Sequence, residues 1–334
     1  MGIKYLTRLI RDNSPDSIKH VQLHQLSGKR VGIDASLFIY QSLMNIRSGG
    51  ELLTNDSDKV TSHIAGIFYK TAKYLSLDIT PIYFFDGKPP IEKNDVIKSR
   101  KKKAATATES MKKCENKEDK EKLSKMSIRL TKDYIDDIKE LLTKMGVTYI
   151  HIDGEAEAIA SEMCRIGFID YVVTEDMDTL TFGCPNMVRN CIDKSFKKQD
   201  TITILNLDQL LLDLEFTYEQ FIELCIMCGC DYCSNIPKIG QVKSLKIMKK
   251  YGSIETFLEQ NDTVEIPDGY QEKYLCAKKL FTMYHGKLNP EEMPFIESNI
   301  DIGSLMKYLI NDCRLNEVKI LNTIKKMQEK YSID

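Results

Sequence analysis

No apolar run in this chain approaches the roughly 20 residues that a membrane-spanning helix needs, so an integral membrane protein is not expected. The first residues, Met1-Gly2-Ile3-Lys4-Tyr5-Leu6, lack a long apolar stretch, and no secretory signal is read there. Leu6 stands where a myristoylation motif needs Ser or Thr, so Gly2 is not read as an acylation site. A Gly-rich phosphate loop and a dinucleotide fingerprint are both missing, which argues against a nucleotide cofactor. Ten cysteines without a leader peptide read as reduced thiols rather than a disulfide framework. An intracellular protein is expected, nuclear if the source is eukaryotic.

What is present is a soluble, globular composition: 334 residues, 42% hydrophobic and 29% charged. The chain is too long for one small domain and suits two modest domains, or one α/β domain with appendages. A net charge of −2 is unpromising for a nucleic-acid binder, but local distribution matters more than the average. Lys98, Arg100, Lys101, Lys102 and Lys103 place five positive charges in six residues. Taken alone, such a run is most often a solvated face.

Four stretches are short, β-branched or aromatic and nearly continuous in hydrophobicity, as buried strands are: 30–33, 79–85, 147–152 and 171–174. Between them lie segments with helical spacing: Ile138, Leu141, Leu142 and Met145, then Ile159, Met163 and Ile166. Alternation of strand and helix predicts an α/β fold, with a mostly parallel central sheet and helices on both faces.

Acids follow these strands. Asp34 ends the first, Asp86 follows the second, Glu155 and Glu157 the third, and Asp176 and Asp178 the fourth. A seventh, Asp231, follows the apolar stretch 224–227 through a turn at Gly229. Open parallel sheets bind ligands at the carboxyl ends of their strands, so the first six carboxylates are expected to converge on one edge. So many carboxylates share a small volume only if cations neutralise them. Oxygen ligands without histidine suit Mg²⁺ or Mn²⁺ rather than zinc, and none of the five histidines is expected beside the acids. Glu155 and Glu157 also lie where a helix begins, and its dipole helps to keep them ionised. With the seven acids set aside the chain is net positive, so the acidic total conceals a basic body.

Met1-Gly2-Ile3, Ile33-Asp34-Ala35-Ser36, Thr61-Ser62-His63, Phe85-Asp86-Gly87-Lys88-Pro89-Pro90, Glu155-Ala156-Glu157-Ala158, Thr174-Glu175-Asp176-Met177-Asp178 and Gly229-Cys230-Asp231-Tyr232-Cys233 follow one another along nearly the whole chain. In order and spacing this set resembles the flap endonucleases, the structure-specific 5′ nucleases of replication and repair. The resemblance implies a PIN-like 5′ nuclease fold with a helical arch and a helix–two-turn–helix. It implies phosphodiester hydrolysis on two divalent ions, Mg²⁺ with Mn²⁺ as a substitute. Asp34, Asp86, Glu155 and Glu157 match the ligands of one ion, and Asp176, Asp178 and Asp231 those of the other, with sharing between sites. Lys93 and Arg100 match the basic pair at the scissile phosphate and complete the expected catalytic set. Tyr40 matches a ring that stacks on a base near the cut. DNA contacts are implied at Gly2, Arg47, Lys70, Gly229, Gly240 and Lys243, and at the ligands Glu155 and Asp231. Lys70 replaces a usual arginine, which removes bidentate phosphate geometry there.

Residues 104–132 are Lys/Glu-rich, polar and free of Gly and Pro, a composition that gives a solvated helix or a disordered linker. The resemblance makes them the arch and cap through which a single-stranded 5′ flap passes. Lys101, Lys102 and Lys103 then lie at its basic base, and Lys125 and Arg129 meet the flap. Residues 236–244 read as a tight turn leading into a helix that carries Lys243 and Lys246. They resemble the helix–two-turn–helix that grips duplex phosphates, with K⁺ as a candidate ion. Lys238 stands where the family commonly has glycine.

Cys225, Cys228, Cys230 and Cys233 fall within nine residues, too closely spaced to close a zinc tetrahedron, so no metal–thiolate site is expected. Residues 302–331 are helical by period. The sliding-clamp motif of family members does not follow them, so a clamp partner stays open. The expected regions are an N-terminal nuclease part (1–103), the arch (104–132), an internal nuclease part with the helix–two-turn–helix (133–255) and a C-terminal helical part packed on the core (256–334).

The sequence thus reads as a monomeric, Mg²⁺-dependent endonuclease that cuts 5′ flaps of branched DNA in Okazaki fragment maturation and repair, with no membrane contact. The alternatives are a 5′→3′ exonuclease or junction resolvase of the same superfamily, and a catalytically inactive scaffold for branched DNA. The arch and the stretch 61–69 favour the flap branch, and the complete acidic set disfavours the scaffold.

Overall fold

The computed structural model describes residues 2–151, 153–190, 192 and 198–331. Met1 of the N-terminal motif, Ile152 at the end of the expected third strand and residues 332–334 of the expected C-terminal part lie outside them. In chain order the strands are β1 (Ile18–Gln22), β2 (Arg30–Asp34), β3 (Arg47–Ser48), β4 (Glu51–Leu52), β5 (Thr80–Phe85), β6 (Tyr149–His151), β7 (Tyr171–Val173), β8 (Asn186–Asn190) and β9 (Thr201–Asn206). The described residues divide into two units of interleaved segments. One draws on described residues within 2–25, 90–93 and 154–293, the other on those within 26–89, 94–153 and 294–331.

In the first unit the strand order is β1-β9-β8-β7. β7 and β8 are parallel, whereas β9 runs antiparallel to both β8 and β1. β9 is thus the one strand of these four that runs against the others, and the rest keep the expected parallel sense. β9 buries Thr203 and Leu205 between half-buried neighbours, a period-two pattern that a search for continuous apolar runs passes over. Helix Tyr218–Cys228 is apolar nearly all round and lies buried in a cluster with Leu6, Leu9, Ile10 and Phe281. Helix Ala156–Arg165 buries Ile159 and Met163, but Ile166 is 37% exposed because the helix stops one residue before it.

In the second unit β2, β5 and β6 lie side by side and parallel, with Asp34 opposite Phe84 and Phe85 opposite His151. Four of the five β2 residues and five of the six in β5 are buried, which is why both read as unbroken apolar runs. Helix Lys132–Lys144 buries Ile138, Leu141 and Leu142, as its spacing predicts. The C-terminal helix Glu317–Tyr331 packs on helix Ser62–Ser76 and buries Ile320, Ile324 and Met327. Helices Asn94–Lys113 and Lys117–Met126 pack on each other, so most of 104–132 is helix rather than linker. Asn116 caps the second of them by accepting the Glu118 and Asp119 N–H groups. All three expected boundaries fall inside continuous helices: 103/104 within Asn94–Lys113, 132/133 within Lys132–Lys144 and 255/256 within Ile254–Gln260.

A buried charge group braces this second unit. Asp137 accepts Nε2–H of His63 at 3.1 Å and Nζ of Lys59 at 2.5 Å, joining two helices and the loop before the first. The His63 ring is fully buried and its Nδ1 has no hydrogen-bond partner. Burial therefore holds the imidazole below its ordinary pKa, outweighing the pull of Asp137. Burial alone would raise Asp137, but hydrogen bonds from His63 and Lys59 hold it below the usual carboxylate value. Both depressed values mean that the folded chain binds fewer protons than the unfolded one, so stability rises with pH. Stability should be full above the unfolded histidine value of about 6.5 and decline as pH falls below it. His63→Gln should be less stable at about pH 7.5, with a flatter decline towards about pH 5.5. Urea unfolding at a series of pH values measures both, and an unchanged slope in the variant would exclude His63 as the titrating group.

Candidate metal centre and nucleic-acid interface

In the first unit, local chain geometry gathers acids around one point. Glu155 is the N-cap of Ala156–Arg165 and Glu157 lies in its first turn, where the helix dipole favours negative charge. After β7 the chain alternates. Asp176 and Asp178 turn inward, with the Asp176 N–H donated to Thr174 Oγ1 and the Asp178 N–H to Asp176 Oδ1. Glu175, directly before Asp176, turns away, taking Arg189 Nε at 3.1 Å and the Asn190 N–H at 2.8 Å. The buried helix Tyr218–Cys228 ends at Gly229, whose φ of 97° turns the chain and brings in Asp231.

Asp178 is 1% exposed, and neither carboxylate oxygen has a hydrogen-bond partner. Burial, then the neighbouring Asp176 and Asp231, push its carboxyl well above the ordinary range. Burial raises Asp176 as well. A carboxylate stays ionised there only beside a cation. All the donors are oxygens, which suits a hard divalent ion rather than zinc. Among the described residues no three acid, histidine or cysteine side chains form a finished metal cage. Lys93 occupies the cluster instead.

Lys93 closes the short turn Ile91–Lys93 with only 16% of its side chain exposed, so it is not a solvated loop lysine. Its Nζ lies 2.5 Å from Glu155 Oε1 and 3.7 Å from Asp231 Oδ2. Burial alone would lower its pKa, but Glu155, Glu157 and Asp231 outweigh that and hold the ammonium above the ordinary lysine value. The other oxygen of Glu155 accepts the Tyr232 hydroxyl, a contact no sequence pattern announced. Gly2, expected at DNA, packs on the acids. Its φ is 79°, and an added Cβ would overlap Asp176 Oδ1 and come within 2.6 Å of Asp178 Oδ1.

In the second unit Asp34 ends β2, is buried, and accepts the Leu37 N–H at 3.0 Å as the cap of helix Ala35–Asn45. Asp86 follows β5. With Asp34 opposite Phe84, the two acids leave the same end of neighbouring parallel strands, two residues apart in register. β6 ends at His151 opposite Phe85, and Asp86 is among the charges acting on its ring. Burial, then Lys139 with its Nζ 3.1 Å from Nδ1, holds this imidazole below its ordinary pKa.

The expected DNA contacts fall into two groups. Tyr40 is half-buried on Ala35–Asn45, while Arg100, Lys101, Lys102 and Lys103 are exposed on Asn94–Lys113. Successive helical positions point about 100° apart, so the three lysines fan around the helix instead of lining one path. The second group is held by contacts within the protein. Arg47 donates to Leu43 O, Gly50 O and Ser124 Oγ, tying the β3–β4 hairpin to Lys117–Met126. Lys125 pairs with Glu121 at 2.6 Å, Arg129 donates to Lys101 O at 2.7 Å, and Lys70 sits 3.4 Å over the Phe38 ring.

Gly240 is the N-cap of Gln241–Tyr251, which exposes Lys243 and Lys246 and buries Ser244. Lys238 adopts the left-handed conformation, φ 64°, that glycine takes without steric cost. Asn235 Nδ2 locks the turn by donating to Ile236 O and Ile239 O. An open groove of about 710 Å³ follows, lined by Lys238, Lys243, Lys246 and Glu265 among others. Burial raises the thiols of this region, Cys228 to about 12 and Cys233 to about 11, so both stay protonated at neutral pH.

Comparison with known proteins follows the same pattern. Residues 1–107 match the XPG N-terminal domain and residues 146–231 the XPG I-region. Flap endonuclease 1 of Glycine max is 40% identical over 336 residues, covering 98% of this chain and 87% of the relative. Flap endonuclease-1 from Methanococcus jannaschii superposes with a TM-score of 0.70 at 28% identity, over 94% of this chain and 96% of that chain. The catalytic core of Rad2 in complex with DNA substrate superposes at 0.74 over 98% of this chain and 100% of that one; at 21% identity it speaks for the fold alone.

Because nothing larger than hydrogen fits beside the paired acids, Gly2→Ala should displace Asp176, and Asp178 with it, and weaken Mn²⁺ binding by about tenfold or more. A Mn²⁺ titration followed by electron paramagnetic resonance measures this, and wild-type affinity would show that the site tolerates a methyl group.

Proposed function

We propose, since this chain belongs to the flap endonuclease family, that it is a structure-specific endonuclease that hydrolyses phosphodiester bonds in branched DNA. It cuts 5′ flaps at the junction of single strand and duplex, in replication and repair, and it depends on divalent metal ions. The observation that supports this best is the Asp178 carboxylate, buried beside Asp176, Asp231 and Lys93 with both oxygens unshared.

In this reading Asp34, Asp86, Glu155 and Glu157 are ligands of one ion, and Asp176, Asp178 and Asp231 of the other. Mg²⁺ is the working ion and Mn²⁺ its substitute, because the donors are hard oxygens. When bound, the ion pair supplies activation of the attacking water and charge stabilisation of the leaving 3′ oxygen. Lys93 and Arg100 hold positive charge against the scissile phosphate, where negative charge grows in the transition state. Lys93 shares its ammonium between Glu155 and Asp231, and turns to the phosphate once those oxygens are otherwise neutralised. Tyr40 stacks on a base beside the cut. The helices of residues 104–132 receive the flap, and Lys238, Lys243 and Lys246 neutralise duplex phosphates, with K⁺ held at the turn before them. The chain acts as a monomer.

Asp178→Ala should leave the fold and flap binding largely intact while lowering cleavage by about 100-fold or more, as loss of several kcal/mol of charge stabilisation implies. An end-labelled double-flap DNA, incubated with Mg²⁺ and with chelator, reads this directly. Activity within about tenfold of wild type would remove Asp178 from the ligand set.

Replacing Lys93 and Arg100 together by alanine should lower the single-turnover rate much more than it weakens binding, since their contribution is concentrated in the transition state. Equal losses in rate and affinity would make them ordinary phosphate clamps.

A further inference from the structure

Tyr232 is the residue of the acidic cluster to which neither motif nor charge assigns a role. It follows Asp231 in a tight turn closed by the Cys230 N–H donating to Cys233 O at 2.9 Å. The Cys233 N–H donates in turn to Cys230 Sγ at 3.3 Å. The ring is 7% exposed, stands edge-on against Phe281 at 5.2 Å, and has Lys93 Nζ 5.7 Å from its centroid. Its hydroxyl donates to Glu155 Oε2, while Lys93 holds Oε1 of the same carboxylate.

These two donors differ in kind. The lysine neutralises the carboxylate, and its hold ends when another cation takes Oε1. The phenol carries no charge and stands on an apolar floor, so it can keep Oε2 fixed while leaving the negative charge of Glu155 for a cation to use. A hydrogen bond to the far oxygen of a ligating carboxylate sets which way the near oxygen points.

We propose that Tyr232 is a positioning residue of the metal centre: its hydroxyl orients Glu155 so that Oε1 faces the incoming cation, and its ring keeps Lys93 beside that oxygen. This rests on the reading of Glu155 as a metal ligand. Partners of this kind typically contribute 10- to 100-fold in metal affinity or activity.

Tyr232→Phe removes only the hydroxyl and keeps the ring against Phe281 and Lys93. Mn²⁺ binding to the DNA-free protein should weaken about tenfold, and the Mg²⁺ midpoint of single-turnover flap cleavage should move up by a similar factor. The loss is expected in that midpoint more than in the rate at saturating Mg²⁺. Because Tyr232 acts through Glu155, adding Tyr232→Phe to Glu155→Gln should cost little further Mn²⁺ affinity. Unchanged Mn²⁺ affinity and Mg²⁺ midpoint in Tyr232→Phe would overturn the proposal, even if the melting temperature in chelator fell, since that combination belongs to a purely structural ring. Fully additive losses in the double variant would overturn it as well. A wild-type protein that neither binds Mn²⁺ nor cuts a flap would instead overturn the functional reading itself, and this inference with it.

Discussion

Negative charge buried without a hydrogen-bond donor is the constraint around which the first unit is arranged. Asp178 lies out of water with both carboxylate oxygens unshared, and its acidic neighbours add repulsion to the cost of burial. Nothing nearby relieves this except cationic charge. Lys93 is therefore drawn in and held charged, Gly2 is required where any side chain would collide with the acids, and Glu175 is diverted to Arg189. A rigid pedestal is needed as well, because carboxylates that repel one another spread apart if the backbone yields. The buried helix Tyr218–Cys228 provides it beneath Asp231 and Tyr232.

The second unit contains a buried acid of the opposite kind. Asp137 also lies in the interior, yet His63 and Lys59 donate to its two oxygens and hold its pKa down. Its charge is satisfied by the protein alone, so it braces helices and asks for no ligand. Asp178 is pushed the other way, up, by burial and then by the acids Asp176 and Asp231, with no donor to offset them. The direction of the shift separates an acid that the fold uses from one that a ligand must complete.

The same logic applies to the cations. Arg47, Lys70, Lys125 and Arg129 carry the right charge for phosphate, but backbone carbonyls, Ser124, Glu121 and the Phe38 ring occupy them in the folded chain. Any of them that meets DNA must exchange one partner for another, and the gain is correspondingly smaller. The exposed lysines of Asn94–Lys113 and Gln241–Tyr251 face no such exchange with a buried partner, and the long-range attraction for a polyanion rests on them.

By itself, the sequence determined what depends on near neighbours. Unbroken apolar runs marked β2 and β5 because both faces of those strands are covered, and an acid directly after a strand could be placed at its end without knowing the rest of the fold. Helix Lys132–Lys144 was legible from its spacing for the same reason. The antiparallel strands β1 and β9 were not legible, because both are only partly buried and polar residues interrupt them, leaving no apolar run longer than two residues. Tertiary structure alone decided which charged residues were satisfied and which were left wanting. Tyr232 meets Glu155, and Arg47 meets Ser124, each across 77 residues of chain, and His151 comes opposite Phe85 only through strand pairing. Composition and spacing describe a residue's charge and its local direction. Whether that charge is buried, and which donor stands opposite it, depends on segments remote in sequence that only folding brings into contact.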